Sequence, residues 1–136
     1  MRAKPKEIKV IIAKPQKEAK VHIIKNELAE LQKIVGGYIE PLTFTDDNVC
    51  IICNEEGKID GLPLNRAMVN KEGVIWEIIA GPMIIVGDDY DNGDFIGLTD
   101  EQAEKYLKMF LKPEVFYRMN DEILNMKVEE DFWEVD

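Results

Sequence analysis

The chain has no serine, a single histidine (His22), two cysteines and only three arginines among its 136 residues. Without serine, nucleophilic catalysis by a serine hydroxyl is excluded, and with one histidine and no second CxxC a structural zinc site lacks ligands. Cys50 and Cys53 form a lone CxxC inside VCIIC. On a strand, residues three apart point to opposite faces, so this pair reads as core rather than as a redox or metal site. Long apolar runs are missing as well. No stretch reaches the roughly 18 residues that would span a bilayer. The start MRAKPK runs into a charged strand instead of an apolar leader, so a cytoplasmic protein without membrane association is expected. No metal and no cofactor are expected.

What the chain has in excess is negative charge, −10 overall, and it is unevenly placed. Residues 1–25 hold eight basic and two acidic side chains, a local balance of +6, which leaves −16 on residues 26–136. Such a surface repels phosphates over most of its area, so direct nucleic-acid binding is disfavoured and a basic protein partner is favoured. The length is that of one domain with room for a real core, and the 46% hydrophobic share is ordinary for a globular protein.

Alternation of Ile8, Val10 and Ile12, then of Ala19, Val21 and Ile23, around Pro15 predicts a β-hairpin, with His22 on its exposed face. From Asn26 the period changes. Leu28, Leu31, Ile34 and Val35 share a helical face, with Asn26 as the expected cap and Gly36 as the stop. Residues 38–42 and 49–53 read as strands joined by a turn at Asp46, Asp47 and Asn48. Residues 64–69 read as a short helical turn, and 74–79 and 83–86 as strands, with Pro82 at a strand start. DDYDNGDF resembles an EF-hand loop in composition but fails its register, because Gly93 at the sixth position puts Tyr90 third and Thr99 twelfth. Asn92-Gly93 is instead a tight hairpin turn. Thr99 and Gln102 make a capping box before a helix whose apolar face is Ala103, Tyr106, Leu107, Phe110 and Leu111. Pro113 then opens an expected second helix with Val115, Phe116, Met119 and Ile123, followed by the acidic tail VEEDFWEVD, either a frayed end or a docking segment.

The fold expectation is α+β, an antiparallel or mixed sheet packed by helices near 26–35 and 99–111. Residues 1–111 form the domain, and 112–136 a helical extension and acidic tail of it. Between strand signals, residues 51–66, IICNEEGKIDGLPLNR, crowd Asn54, Glu55, Glu56, Lys58, Asp60, Asn65 and Arg66 together. A turn needs Gly and Asn but not two carboxylates, an ammonium and a rare arginine, so Asn54, Glu55, Glu56, Lys58, Asn65 and Arg66 are the candidate ligand- or partner-binding residues. Arg66 could clamp an anion, Glu55 or Glu56 could accept a proton or hold a metal, and Asn54 and Asn65 could orient a substrate. Alternatively the glutamates pair with Arg66 and the loop satisfies itself.

The blocks LQKIVGGYIE, ICNEEGKIDGLPLNR, IAGPMIIVG and DFIGLTDEQAEKYLKMF, in this order, resemble the domain-of-unknown-function 3846 family of bacteria, phages and mobile elements of Gram-positive hosts. The likeness covers about residues 6–111, with residues 35–40, 54–58 and 61–66 as its recurrent elements. It implies a small accessory protein of a phage or conjugative element. Three classes of function stay open. The first is a non-enzymatic binding or regulatory protein, in its sharpest form a DNA mimic aimed at a basic nucleic-acid-binding partner. The second is a small-ligand or nucleotide binder, or an enzyme, using the 54–66 loop. The third is an assembly component. A monomer or homodimer is expected.

Overall fold

The computed structural model describes residues 4–134; Arg2 of the basic start, and Val135 and Asp136 of the acidic tail, lie outside the described residues. In chain order the elements are β1 (Glu7–Ala13), β2 (Lys20–Lys25), α1 (Leu28–Val35), β3 (Ile39–Thr43), β4 (Val49–Asn54), β5 (Leu64–Val69), β6 (Ile75–Ala80), β7 (Met83–Asp89), β8 (Asp94–Ile96), α2 (Asp100–Phe110), β9 (Glu114–Met119), β10 (Glu122–Lys127) and a 3₁₀ turn, Glu130–Trp133. The main sheet runs β2-β1-β7-β4-β3, with β8 paired to β7, and every pairing is antiparallel. β5–β6 and β9–β10 form two separate hairpins. This is the α+β architecture expected from the sequence.

The central strands β4 and β7 are apolar on both faces because both faces are covered. On one face Val10, Ile12, Cys50, Ile52 and Ile84 pack with Leu31 and Val35 of α1. On the other, Ile11, Ile51 and Ile85 pack with Tyr106 and Phe110 of α2 and with Met68 and Ile79 of the β5–β6 hairpin. The two cysteines of β4 thus face opposite layers, as strand alternation requires, and both are free thiols. The β1–β2 hairpin forms, with His22 exposed. Gly36 closes α1 in the left-handed conformation at φ 80°, its N–H donating to Gln32 O at 2.8 Å. The capping box at Thr99 and Gln102 is complete in both directions.

Four expectations need correction. Asn26 does not cap α1. The N-cap is Glu27, which makes no side-chain cap bond, while Asn26 donates through Nδ2 to Pro5 O at 3.1 Å and ties the helix start to the N-terminal segment. Residues 64–69 are the strand β5, with a bulge between Leu64 and Arg66 that disturbs the alternation by which a strand is recognised. The expected helix after Pro113 is the β9–β10 hairpin. Asn120 and Asp121, at φ 50° and 67°, form a two-residue turn of the I′ kind, and Met119 pairs with Glu122 across it. The tail up to Glu134 is not frayed, because Glu18 donates its backbone N–H to Glu130 Oε1 at 2.7 Å and Lys112 bridges Glu129 at 2.7 Å. Asn92-Gly93 does turn a hairpin, through a four-residue loop between Asp89 and Asp94, with Gly93 at φ 69°.

Candidate functional site

The crowded loop divides into two places with opposite chemistry. Asn54 ends β4 and is nearly buried. Its Nδ2 donates to Val35 O at 3.2 Å, the last carbonyl of α1, while its Oδ1 accepts the Glu56 N–H at 2.8 Å in an Asx turn. Glu55 donates its N–H to Tyr38 O at 2.9 Å, and Leu62 donates to Gly57 O at 2.9 Å, so the loop is wound onto the sheet by its backbone. Gly57 is required by space. A Cβ there would stand 2.6 Å from the Ala80 carbonyl oxygen. Glu55, Glu56, Lys58 and Asp60 remain exposed.

Beside this turn is a cleft of about 260 Å³, lined by Glu40, Glu55 and Glu77, by Lys58, by Cys53 and Asn54, and by apolar residues of β6. Lys58 pairs with Glu77. Burial would raise the Glu77 carboxyl, but the Lys58 ammonium and the Ile78 N–H outweigh it and hold the group below the usual carboxylate value. Burial, with Glu40 and Glu77 adding to it, pushes the Cys53 thiol up to about 11 against the opposing pull of Lys58. Cys50, deeper, is pushed up to about 12 by burial and by Asp88. Neither thiol is poised as a thiolate at neutral pH.

Asn65 and Arg66 point elsewhere, into the protein, and both are 0% exposed. Asn65 Nδ2 donates to Ala13 O at 2.8 Å and to Gly81 O at 2.9 Å, and its Oδ1 accepts from Arg66 Nη1 at 2.8 Å. Arg66 Nε donates to Phe110 O at 3.0 Å, while Nη2 donates to Lys17 O at 2.7 Å and Leu111 O at 3.4 Å. The guanidinium thus closes the negative C-terminal end of α2 and ties it to the β1–β2 turn. Burial lowers its pKa and the nearby Glu114 carboxylate opposes that. Arg66 therefore does not pair with Glu55 or Glu56, and it is not placed to clamp a ligand. Of the six candidates, Asn54, Glu55 and Lys58 line the cleft, Glu56 sits on the surface of the same turn, and Asn65 with Arg66 form a separate buried joint.

Sequence reasoning missed a second concavity, because its residues come from elements read as helix or turn. A groove of about 440 Å³ lies between α2, β5, the β9–β10 hairpin and the β3–β4 turn. Phe44, Met68, Trp76, Tyr106, Met109 and Phe110 form its apolar walls, Glu114 and Asn125 its polar part, and Lys71, Lys105 and Lys127 complete the lining. Glu114 Oε1 accepts from the Ala67 N–H at 3.1 Å and from Asn125 Nδ2 at 2.7 Å. The available signal was Asn120-Asp121, a tight-turn pair that marks a hairpin and was hidden once 113–123 was read with a helical period. Among the described residues, no group of three His, Cys, Asp or Glu is placed to hold a metal ion, and no helix is long and apolar enough to cross a membrane.

The family described as a domain of unknown function, DUF3846, matches residues 8–111, and the chain belongs to that family. No curated protein and no solved structure matches the chain. The blocks that carry the resemblance meet in space. Val35 and Tyr38 accept hydrogen bonds from Asn54 and Glu55, Gly37 leaves room for the Asn54 amide, Gly57 packs on Ala80, and Pro63 O accepts from Gly81 N–H at 2.7 Å. Together with Asn65 and Arg66 they form joints of the fold.

Proposed function

We propose that the protein is a non-enzymatic binding protein, an accessory factor of a phage or mobile element, that engages a basic surface of a protein partner through one acidic end of its sheet. The observation carrying this reading is a convergence of carboxylates from four segments. Asp46 and Asp47 come from the β3–β4 turn, Asp88 and Asp89 from the end of β7, Asp91 and Asp94 from the β7–β8 turn and β8, and Asp100 and Glu101 from the first turn of α2. The segments are held together. Asp88 N–H donates to Asn48 O at 2.7 Å, Thr43 and Tyr90 share a hydroxyl hydrogen bond at 2.8 Å, and Gln102 Nε2 donates to Asp47 O at 2.9 Å. Tyr106 Oη donates to Asp47 Oδ2 at 2.9 Å, and Lys9 and Lys105 bridge Asp100 and Asp47.

A rigid array of one sign steers an oppositely charged partner and repels nucleic acid. Clustered carboxylates present the same sign of charge as phosphates, so a nucleic-acid-binding protein is the partner that fits best. The two thiols, held protonated, add support for a role without covalent chemistry.

The test compares the native protein with a variant carrying Asn at 46, 88, 91 and 94. Both are immobilised and exposed to lysate of the natural host. A protein retained by the native chain and lost from the variant is the expected partner. Its association should slow as ionic strength rises from about 0.01 to 0.1 M, where the Debye length falls from about 30 to 10 Å, while dissociation changes less. Identical capture by both proteins, or a salt-independent on-rate, would refute the reading.

A further inference from the structure

The 440 Å³ groove beside α2 has a chemistry that runs against the rest of the molecule. Three lysines and one glutamate line it; Lys105 is already paired with Asp47, which leaves Lys71 and Lys127 against Glu114 in a chain of −10. Its walls are fixed before any ligand arrives. Tyr106 and Phe110 are sealed in the core, and Phe44 meets both edge-on, with ring centroids 5.5 and 5.7 Å away. Glu114 is only 5% exposed yet lines the groove, and its carboxylate is oriented by the two donors on Oε1. Its other oxygen receives no hydrogen bond from the described residues.

A ligand that suits this lining must offer a flat apolar body, a hydrogen-bond donor for the buried carboxylate and an anionic group for the lysines. A fatty acid has the anion but would bury Glu114 under hydrocarbon, which is costly for a charged group. An inorganic anion leaves the aromatic walls unused. We propose that the groove binds a purine nucleoside monophosphate. The base lies against Phe44 and Trp76, the lining rings that keep exposed surface, and its amino edge donates to Glu114, while the phosphate meets Lys71 and Lys127. The volume is within the range of about 300–1,000 Å³ usual for small-ligand sites. The same chemistry occurs at the end of a single strand of nucleic acid, but the net charge of −10 penalises each additional phosphate.

The test is calorimetric titration of the full chain with GMP, AMP, guanosine, inorganic phosphate and a short single-stranded oligonucleotide. Saturable binding of the purine monophosphates is expected, tighter than guanosine, phosphate or the oligonucleotide. The double variant Lys71→Ala/Lys127→Ala, altered only at exposed side chains, should bind GMP about tenfold more weakly or worse. Glu114→Gln keeps an acceptor for the Ala67 N–H but loses the charge. If Glu114 reads the base, GMP weakens about tenfold; removing a negative charge from an unspecific anion site would tighten it instead. Tighter binding to folded Glu114→Gln, phosphate binding as well as GMP, a tighter oligonucleotide, or no GMP binding at millimolar concentration would each overturn the proposal. If Glu114→Gln does not fold, the lysine variant decides the matter by the same titration.

Discussion

Residues 54–60 and residues 64–66 both carry polar side chains within thirteen positions, and the fold uses them in opposite ways. In the first stretch the backbone and Asn54 make the turn while the charged heads stay in water. In the second, Asn65 and Arg66 are withdrawn completely and donate to main-chain carbonyls from four separate parts of the chain. What separates them is the supply of acceptors. A guanidinium can be buried where a helix C-terminus and two turns present unpaired carbonyls, whereas a carboxylate at the surface of a turn finds no equivalent set of donors. The polar density that makes 51–66 conspicuous is therefore mostly architectural.

The largest effect is expected at the buried joint. Arg66→Ala strips the donors from several buried carbonyls and should cost about 3–5 kcal/mol in urea unfolding, with Arg66→Lys retaining part of the stability. Amide exchange in Arg66→Lys should accelerate around residues 17–19 and 110–112. Acceleration confined to 54–60 would break the comparison. Next come the turn's own joints. Gly57→Ala drives a methyl into the Ala80 carbonyl and should cost about 1–3 kcal/mol, and Asn54→Ala, losing the bonds to Val35 O and Glu56 N–H, about the same.

A smaller effect is expected from Lys58 and Glu77, whose side chains are 58% and 32% exposed. Because the folded carboxyl lies below its ordinary value of 4.5, its contribution is fully present above that pH and is lost as pH falls through the folded pKa. Lys58→Ala should lower stability by at most about 1 kcal/mol at pH 7, and the difference from native should be smaller at an acid pH. Thermal melts at the two pH values check the sign. The smallest effect belongs to the exposed heads. Glu55→Gln and Glu56→Gln should stay within about 0.5 kcal/mol of native, and a larger loss would mean that they too are part of a joint.

Much of the fold could be read locally where one signal dominated. Thr99 and Gln102 announced α2, Gly36 ended α1, and Ile8, Val10 and Ile12 marked β1 without help from distant residues. The misreadings fell where two periods competed. Val115, Phe116, Met119 and Ile123 sit at spacings that a helix face tolerates, and Pro113 encouraged that choice, yet Asn120-Asp121 between aromatic and β-branched runs was the hairpin signal. β5 was obscured by its bulge and by two buried polar residues, which resemble a loop until their partners at Ala13, Lys17 and Phe110 are known. The candidate site was legible as a place of polar crowding, but its division into an exposed turn and an interior joint depended on long-range contacts. The groove at Glu114 was invisible for the same reason.

The position of β1 inside the sheet, between β2 and β7, also shapes how the protein is born. Ile11 pairs with Ile85 and Ala13 with Met83, so β1 waits for a strand made much later. At ~5–20 residues per second, a nascent chain carries β1 with only β2 beside it for on the order of ten seconds, and a lone two-stranded hairpin is marginal in water. During that interval Ile8, Val10, Ile11 and Ile12 have no cover from β7, α1 alone being too short to shield both faces. A ribosome stalled before residue 83 would thus present a sticky, unfinished edge, and prompt chaperone capture matters more for this chain than its modest size would suggest.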